Sequence, residues 1–416
     1  MTKRRIGMRL RTPAVLLGIA LLVAIGIVST QVAQGSGPKP PIVVPPCCGG
    51  TTISSSVAPN PGIYFSSSTN GVWIAGQDPD VNAIGYTGGG GSTPGDAINV
   101  TTDGGQTWTN TLSDSNGLFG LDFVNATVGW APGALALYQT TDGGNTWTAI
   151  SSNETNPFIQ VDFQSTTSGF GIDMAGQVWT TTDGGVTWTQ DNNLPTTSSL
   201  CLATSVIYAA ELDGTVQTSS DGGTTWANSY SFEGATSGED MPSTLECNGS
   251  TANVDFSSQN GTENGIEFED VATTSSGSSW NVVENTTSSI SDPITSTTDA
   301  GEGPAIVKSD GSIVDVTYQV GFGAVTLNTF TGTPPSITNQ TAIALTSTNL
   351  PNSSIADQLS WTTTPVYSMT FADSQDGWFA ASLSSDTNGT FASVIYSTTD
   401  GGVTWSPIYS TPVYDF

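Results

Sequence analysis

The chain has 416 residues, 36% of them hydrophobic, and carries a formal net charge of −29. Charged residues make up 10% of it, against about a quarter in an ordinary soluble domain; six of the seven Lys and Arg precede residue 47, and all 36 Asp and Glu follow it. With Lys308 the one basic residue of the body and no His anywhere, nucleic acid is excluded as a partner, as are Ser-His-Asp and Cys-His nucleophiles and imidazole-held zinc, which leaves carboxylates, tyrosine and hydroxyls for any chemistry.

Lys3, Arg4, Arg5, Arg9 and Arg11 lie ahead of an uncharged apolar run from Ala14 to Val28. A basic segment followed by such a run predicts export, with the body outside the cytoplasm. The run alone suits a cleaved signal peptide, and its extension to Ala33 gives about twenty residues, enough for a spanning helix. Residues 1–34 are therefore read as a signal peptide or an N-terminal membrane anchor, an apolar helix, and the protein as cell-surface-anchored or secreted. Residues 35–58, rich in Pro, Gly and Ser, read as a linker that holds the body off the membrane. Cys47 and Cys48 lie in it, and Cys201 and Cys247 lie in the body. Outside the cytoplasm Cys201 and Cys247 are a candidate disulfide, with the pairing open.

Residues 59–416 carry a repeat. TTDGGQTW at Thr101 to Trp108 recurs as TTDGGNTW at Thr140 to Trp147, TTDGGVTW at Thr181 to Trp188, SSDGGTTW at Ser219 to Trp226 and TTDGGVTW at Thr398 to Trp405. The first four aspartates, Asp103, Asp142, Asp183 and Asp221, are 39, 41 and 38 residues apart, and Asp400 is the fifth. Alternating residues flank each box, so DGG is expected at a hairpin tip, where glycine supplies positive φ, the carboxylate accepts backbone N–H bonds and the tryptophan starts the outgoing strand. A second signature ends at Phe65, Phe123, Phe163, Phe256 and Phe371, in most copies followed by Gly and an aromatic, as in Gly129-Trp130, Gly169-Phe170 and Gly377-Trp378. The spacing from Phe to box Asp is 19 or 20 in the second and third copies. Applied to Phe256, it lands on Ser275 in TSSGSSW, read as an eroded box.

Each unit thus reads as four strands with the box between the third and fourth. Such units cannot bury both faces alone, so copies pack face to face and close radially. The expected fold is all-β, a single β-propeller of four-stranded antiparallel blades, seven of them, with six and eight open. The 115 residues between Phe256 and Phe371 hold only blurred echoes, TTDAGEG at Thr297 and ADQLSW at Ala356, and leave one long blade or two short ones open.

The [ST]-x-D-x-G-x-T-W string resembles the Asp-box, or BNR, repeat of sialidases, sortilin-type receptors, xyloglucan-degrading glycosidases and the photosystem II assembly-factor propellers. The resemblance covers about residues 60 to 410, and in style is nearest to the assembly factors. It implies that the boxes, at Asp103, Trp108, Asp142, Trp147, Asp183, Trp188, Asp221, Trp226, Asp400 and Trp405, are structural turns on the face away from the working site. A sialidase resemblance also implies three arginines on the substrate carboxylate; the body has none, which excludes that activity. The basic patch of the assembly factors has no counterpart either.

From Phe65 to Asp103 is 38 residues and from Phe371 to Asp400 is 29. Both insertions fall between the second and third strands, on the face opposite the boxes, and closure of the ring makes them neighbours. The candidate binding face is therefore Asp78, Asp80, Asn82, Tyr86, Asp386 and Asn388. Asp78 to Asn82 has the 1-3-5 oxygen spacing of a calcium loop, but Ala83 stands at position six and no glutamate follows at twelve. No cofactor is expected, with calcium as a weak alternative, and no metal ligands are assigned. Glu263, Glu267, Glu269 and Asp270 read as solvated edge charge. No catalytic residue is assigned. The expected function is a noncatalytic, membrane-tethered scaffold, a monomer that binds a protein or carbohydrate ligand, with a carboxylate-dependent glycoside hydrolase as the alternative.

Overall fold

A computed structural model describes residues 62–75, 96–114, 117–150, 156–232, 243–260, 265–273, 277–289, 300–302, 304–319, 324–332, 336–344, 366–384, 390–411 and 414–415. Among these residues the strands form seven antiparallel sheets. The first holds β1 (Ile63–Phe65), β2 (Gly71–Ala75), β3 (Asp96–Thr101) and β4 (Thr109–Asp114); the second holds β5 (Asp122–Phe123), β6 (Gly129–Pro132), β7 (Leu137–Thr140) and β8 (Thr148–Ile150). The third runs β9 (Phe158–Phe163), β10 (Gly169–Asp173), β11 (Val178–Thr181) and β12 (Thr189–Gln190), and the fourth β13 (Thr197–Leu202), β14 (Ile207–Glu211), β15 (Thr215–Ser219) and β16 (Ala227–Ser231). The fifth is β17 (Ser243–Asn248), β18 (Thr251–Asn260), β19 (Gly265–Thr273) and β20 (Asn281–Ser289). The sixth contains β21 (Ala300–Glu302), β22 (Ile306–Val307), β23 (Ile313–Gln319), β24 (Ala324–Thr331) and β25 (Ser336–Ala344); the seventh contains β26 (Val366–Phe371), β27 (Gly377–Ser384), β28 (Thr390–Thr398), β29 (Ser406–Ser410) and β30 (Tyr414–Asp415).

The fifth strand of the last two sheets is a break rather than an added layer. β21 and β22 both pair along one edge of β23, and β29 and β30 both pair along one edge of β28, so each sheet keeps four strand positions. First strands converge: β9 touches β5 and β13, β13 touches β17, β17 touches β22, and β1 touches β26. That last contact joins the end of the chain to its beginning and closes the ring. The protein is an all-β propeller of four-stranded antiparallel blades. No described residue is helical; the apolar helix expected within residues 1–34 lies outside the described residues, as does the linker, and no described helix is long and apolar enough to cross a membrane.

Apolar seams between consecutive sheets hold the ring together, because each sheet is apolar on both faces and neither face can be left to water. Trp130, Leu137, Phe158, Val161 and Phe163 fill one seam, Ile159, Phe170, Ile172 and Leu200 another, and Ile63, Phe65, Trp73, Trp378 and Ile395 the closing one. In the closing seam the Phe65 ring lies 3.7 Å from that of Trp378, parallel to it, and Ile63 N–H donates to Ser368 Oγ across 305 residues of chain.

The Phe–Gly signature has a cross-strand cause. Phe65, Phe123, Phe163 and Phe371 pair directly with Gly71, Gly129, Gly169 and Gly377, and each ring folds over its glycine, so a Cβ there would lie 2.5–2.6 Å from ring carbon. Freed to lie flat, the ring packs edge-on against its own box tryptophan, at 5.9 Å for Phe65–Trp108 and 6.0 Å for Phe163–Trp188. In the fourth sheet the same pair is Leu202 and Ile207, without ring or glycine.

One sequence expectation fails here. Phe256 sits in the middle of β18, a second strand, rather than at the end of a first strand. The true first strand, β17, carries Leu245 and Cys247 into the seam with the fourth sheet beside Phe256. The eroded box is nevertheless the connection between β19 and β20, because long second and third strands compensate for the shifted start. Of TTDAGEG, Ala300–Glu302 form strand β21 and the rest lies outside the described residues; the strands between 300 and 344 supply one sheet. ADQLSW lies outside the described residues.

Candidate functional site

Every clean box joins the third and fourth strands of its sheet, and its bonds are local. Asp103 Oδ1 accepts the Thr107 N–H at 2.9 Å and the Thr101 hydroxyl at 2.8 Å, while Oδ2 accepts the Thr107 hydroxyl at 2.6 Å. Thr101 Oγ1 in turn accepts the Gly105 N–H at 3.0 Å, and Gly104 and Gly105 have φ of 76 and 93°. Asp142, Asp183, Asp221 and Asp400 repeat the pattern with Thr146, Thr187, Thr225 and Thr404. The threonine hydroxyl and N–H hold Asp103 down at about 2, and those of Thr225 do the same for Asp221. Trp108, Trp147, Trp188 and Trp405 donate their indole N–H to their own second box glycine; Trp226 donates instead to Asp191 Oδ2. A carboxylate that takes three bonds within its own turn is a fastener, with most of its acceptor capacity committed to that turn.

The connections longer than seven residues all leave from one end of the sheets, although short links such as 133–136, 174–177 and 212–214 share that end. On the box side, links between first and second and between third and fourth strands are short, such as 66–70, 164–168 and 141–147. On the opposite side lie the long links 76–95, 232–242, 290–299 and 345–365; the second expected insertion is not a long loop, because the added length goes into β27 and β28 and leaves a link of only 385–389. Asp78, Asp80, Asn82, Tyr86, Asp386 and Asn388 all belong to these links and lie outside the described residues, as do Cys47, Cys48 and Glu263. Among the described residues no cluster of three or more Cys, Asp or Glu is placed to hold a metal ion.

A second set of acids escaped the sequence reading. Asp122 on β5, Asp162 on β9 and Glu246 on β17 sit on first strands, at the axis. Asp122 Oδ2 accepts the Phe163 N–H at 2.9 Å and Asp162 Oδ2 accepts the Leu202 N–H at 3.0 Å, so each side chain clasps the edge of the next first strand. Gln160 clasps Leu200 through both its amide atoms, at 2.9 Å each, and Ser199 Oγ accepts the Leu245 N–H. An inner edge strand would otherwise expose unpaired N–H groups to the channel. Burial, and then the charge of Asp162, pushes Asp122 well above the usual carboxylate range; burial raises Asp162 to about 7; burial and then Asp162 raise Glu246 to about 8. Tyr64 is raised too, by burial and then by Asp122. One step along, Cys201 on β13 is bonded to Cys247 on β17, with Cα atoms 5.7 Å apart.

No family model matches the chain, and neither does any curated protein. Solved structures do. YCF48 bound to D1 peptide is 17% identical, with 80% of this chain and 91% of that one covered, at a TM-score of 0.46; YCF48 from Cyanidioschyzon merolae is 15% identical over 70% and 84%, at 0.43. The GH74 xyloglucanase from Xanthomonas campestris is 12% identical over 84% of this chain and 53% of that one, at 0.51. At these identities the likeness extends to architecture alone, and what this chain shares with them is the β-propeller fold.

Proposed function

We propose that the chain is an exported, membrane-tethered, noncatalytic scaffold that binds a protein or carbohydrate ligand through the loop-bearing face opposite its boxes. The observation behind this reading is the asymmetry of the connections: the long links leave from one end of a closed, apolar-seamed ring, while the other end is stapled by short turns. Long loops on a rigid scaffold are where recognition residues concentrate. The basic and apolar leader and the Cys201–Cys247 bond both suit a site outside the cytoplasm. Replacing 78–92 by a short Gly-Ser link, with Asp386→Ala and Asn388→Ala, tests it. Capture of a defined partner from membrane extract is expected to disappear while the melting temperature holds, and retention of capture by the shortened protein overturns the reading.

A glycoside hydrolase is the second reading, favoured by Asp162 and Glu246, two carboxyls with raised pKa that feel one another at the axis. A hydrolysis screen with Asp162→Asn and Glu246→Gln separates the two, since turnover lost on either single change sinks the scaffold reading.

A further inference from the structure

The fourth box departs from its sisters at one place. In the others, the first box glycine is covered by the first turn of its own sheet: Gly104, Gly143, Gly184 and Gly401 donate N–H to Thr69, Thr127, Thr167 and Gln375 at 2.8–2.9 Å. A Cβ on any of them would lie 3.0 Å from a carbonyl of that turn. At Gly222 a Cβ would meet nothing within 4 Å. The corresponding turn, after β13, is shorter and is drawn toward the fifth sheet, where Thr204 gives both its N–H and its hydroxyl to the Gly249 carbonyl at 2.9 Å.

The neighbouring sheet supplies the other side of this space. Trp226 leaves its own box and bonds Asp191 Oδ2 at 3.2 Å, while Asp191 Oδ1 accepts the Asn193 N–H at 2.8 Å. Between the two sheets runs a shallow groove of about 380 Å³, lined on one side by Gln190 to Asn193 and on the other by Gly222 to Thr224.

We propose that this groove binds a neutral carbohydrate. Its walls are side-chain amides, the hydroxyls of Thr180 and Thr224 and glycine backbone, with one carboxylate already fixed by an indole. Amides supply donor and acceptor side by side, the match for vicinal hydroxyls. The body's one cation, Lys308, is bonded elsewhere, to the seventh sheet, so an anionic ligand finds no counter-charge. Little apolar surface lines the groove, so a greasy ligand finds no burial. An extended peptide would need a strand edge to pair with, and β12 offers two residues. Because the groove uses none of the long links, the inference does not rest on the loop-face reading.

The test is calorimetric titration of the full chain with cellohexaose, xylohexaose and maltohexaose, with the Gly222 amide followed by NMR. Saturable binding of at least one sugar in about the millimolar range or tighter is expected, with a shift of the Gly222 amide. The Asn192→Ala/Asn193→Ala double variant should bind about tenfold more weakly through loss of two hydrogen bonds, with its melting temperature unchanged. Asn145→Ala, at the second box, should bind like the parent. Absence of saturation by all three sugars up to about 10 mM, equal affinity in the double variant, or preference for a neutral acetylated peptide overturns the proposal.

Discussion

The ammonium of Lys308 lies 3.1 Å from the carbonyl of Gly401, the first glycine of the last box. Trp130 and Trp378 make the same bond with their indole N–H, to Gly184 and Gly104, at 3.0 Å each. Both indoles also stack on the signature Phe of the following sheet, and Lys308 sits over the Phe371 ring at 5.3 Å. A cation thus stands in for a tryptophan at the seam between the sixth and seventh sheets, as lysine's stem and charge permit.

Lys308→Met keeps the apolar stem and removes the donor, leaving the Gly401 and Ser374 carbonyls short of a partner in a buried seam. A loss of about 1–3 kcal/mol is expected from urea unfolding. An unchanged midpoint would show that the lysine is incidental to the seam.

Gly169→Ala places a Cβ 2.6 Å from the Phe163 ring, so the ring must leave its stack on Trp130. We expect a destabilisation of about 1–3 kcal/mol. Adding Phe163→Leu should recover part of it, since the fourth sheet makes the equivalent pair from Leu202 and Ile207. Additive losses in the double-mutant cycle would count against a ring–glycine coupling.

Stability should fall as pH rises. Asp162 and Glu246 titrate at about 7 and about 8 in the folded chain, against about 4 unfolded. Folding therefore favours their neutral forms, and this contribution is full below pH ~4 and is lost as pH climbs through 7 to 8. The boxes work in the opposite sense: Asp103 and Asp221, held at about 2, support the fold above ~4 and lose that support as pH falls through 2. The expected melting temperature is higher at pH 4.5 than at pH 8.5, and Asp162→Asn with Glu246→Gln should flatten the difference. A melting temperature that rises across this interval would refute the assignment.

Cys201 and Cys247 are 46 residues apart in sequence. Closing a loop of that size stabilises by roughly 3–4 kcal/mol through the unfolded chain. Cys201→Ser with Cys247→Ser should lower the denaturant midpoint accordingly, and reductant should do so in the parent but not in the variant.

The boxes were legible because each is closed by bonds between residues two to four apart, as in Thr101, Asp103 and Thr107. The second strands were legible for the same reason, since Phe163 and Gly169 face one another across a single tight turn. Phe256 misled because its motif matches the signature while its partner across the ladder is Ser243 on one side and Glu269 on the other, with no glycine to lie on. Lys308 appeared in the sequence as a lone cation and nothing more, since its partners are 66 and 93 residues away.

Local pattern alone determined the hairpins, their repeat and hence the radial class of fold, because hydrogen bonds that close within one turn need no other part of the chain. Tertiary structure decided which acids share the axis, which seam takes a lysine, where chain end meets chain start, and which of five near-identical boxes is left open. Those outcomes depend on contacts 35 to 305 residues apart, and distances of that kind are set by how the sheets pack.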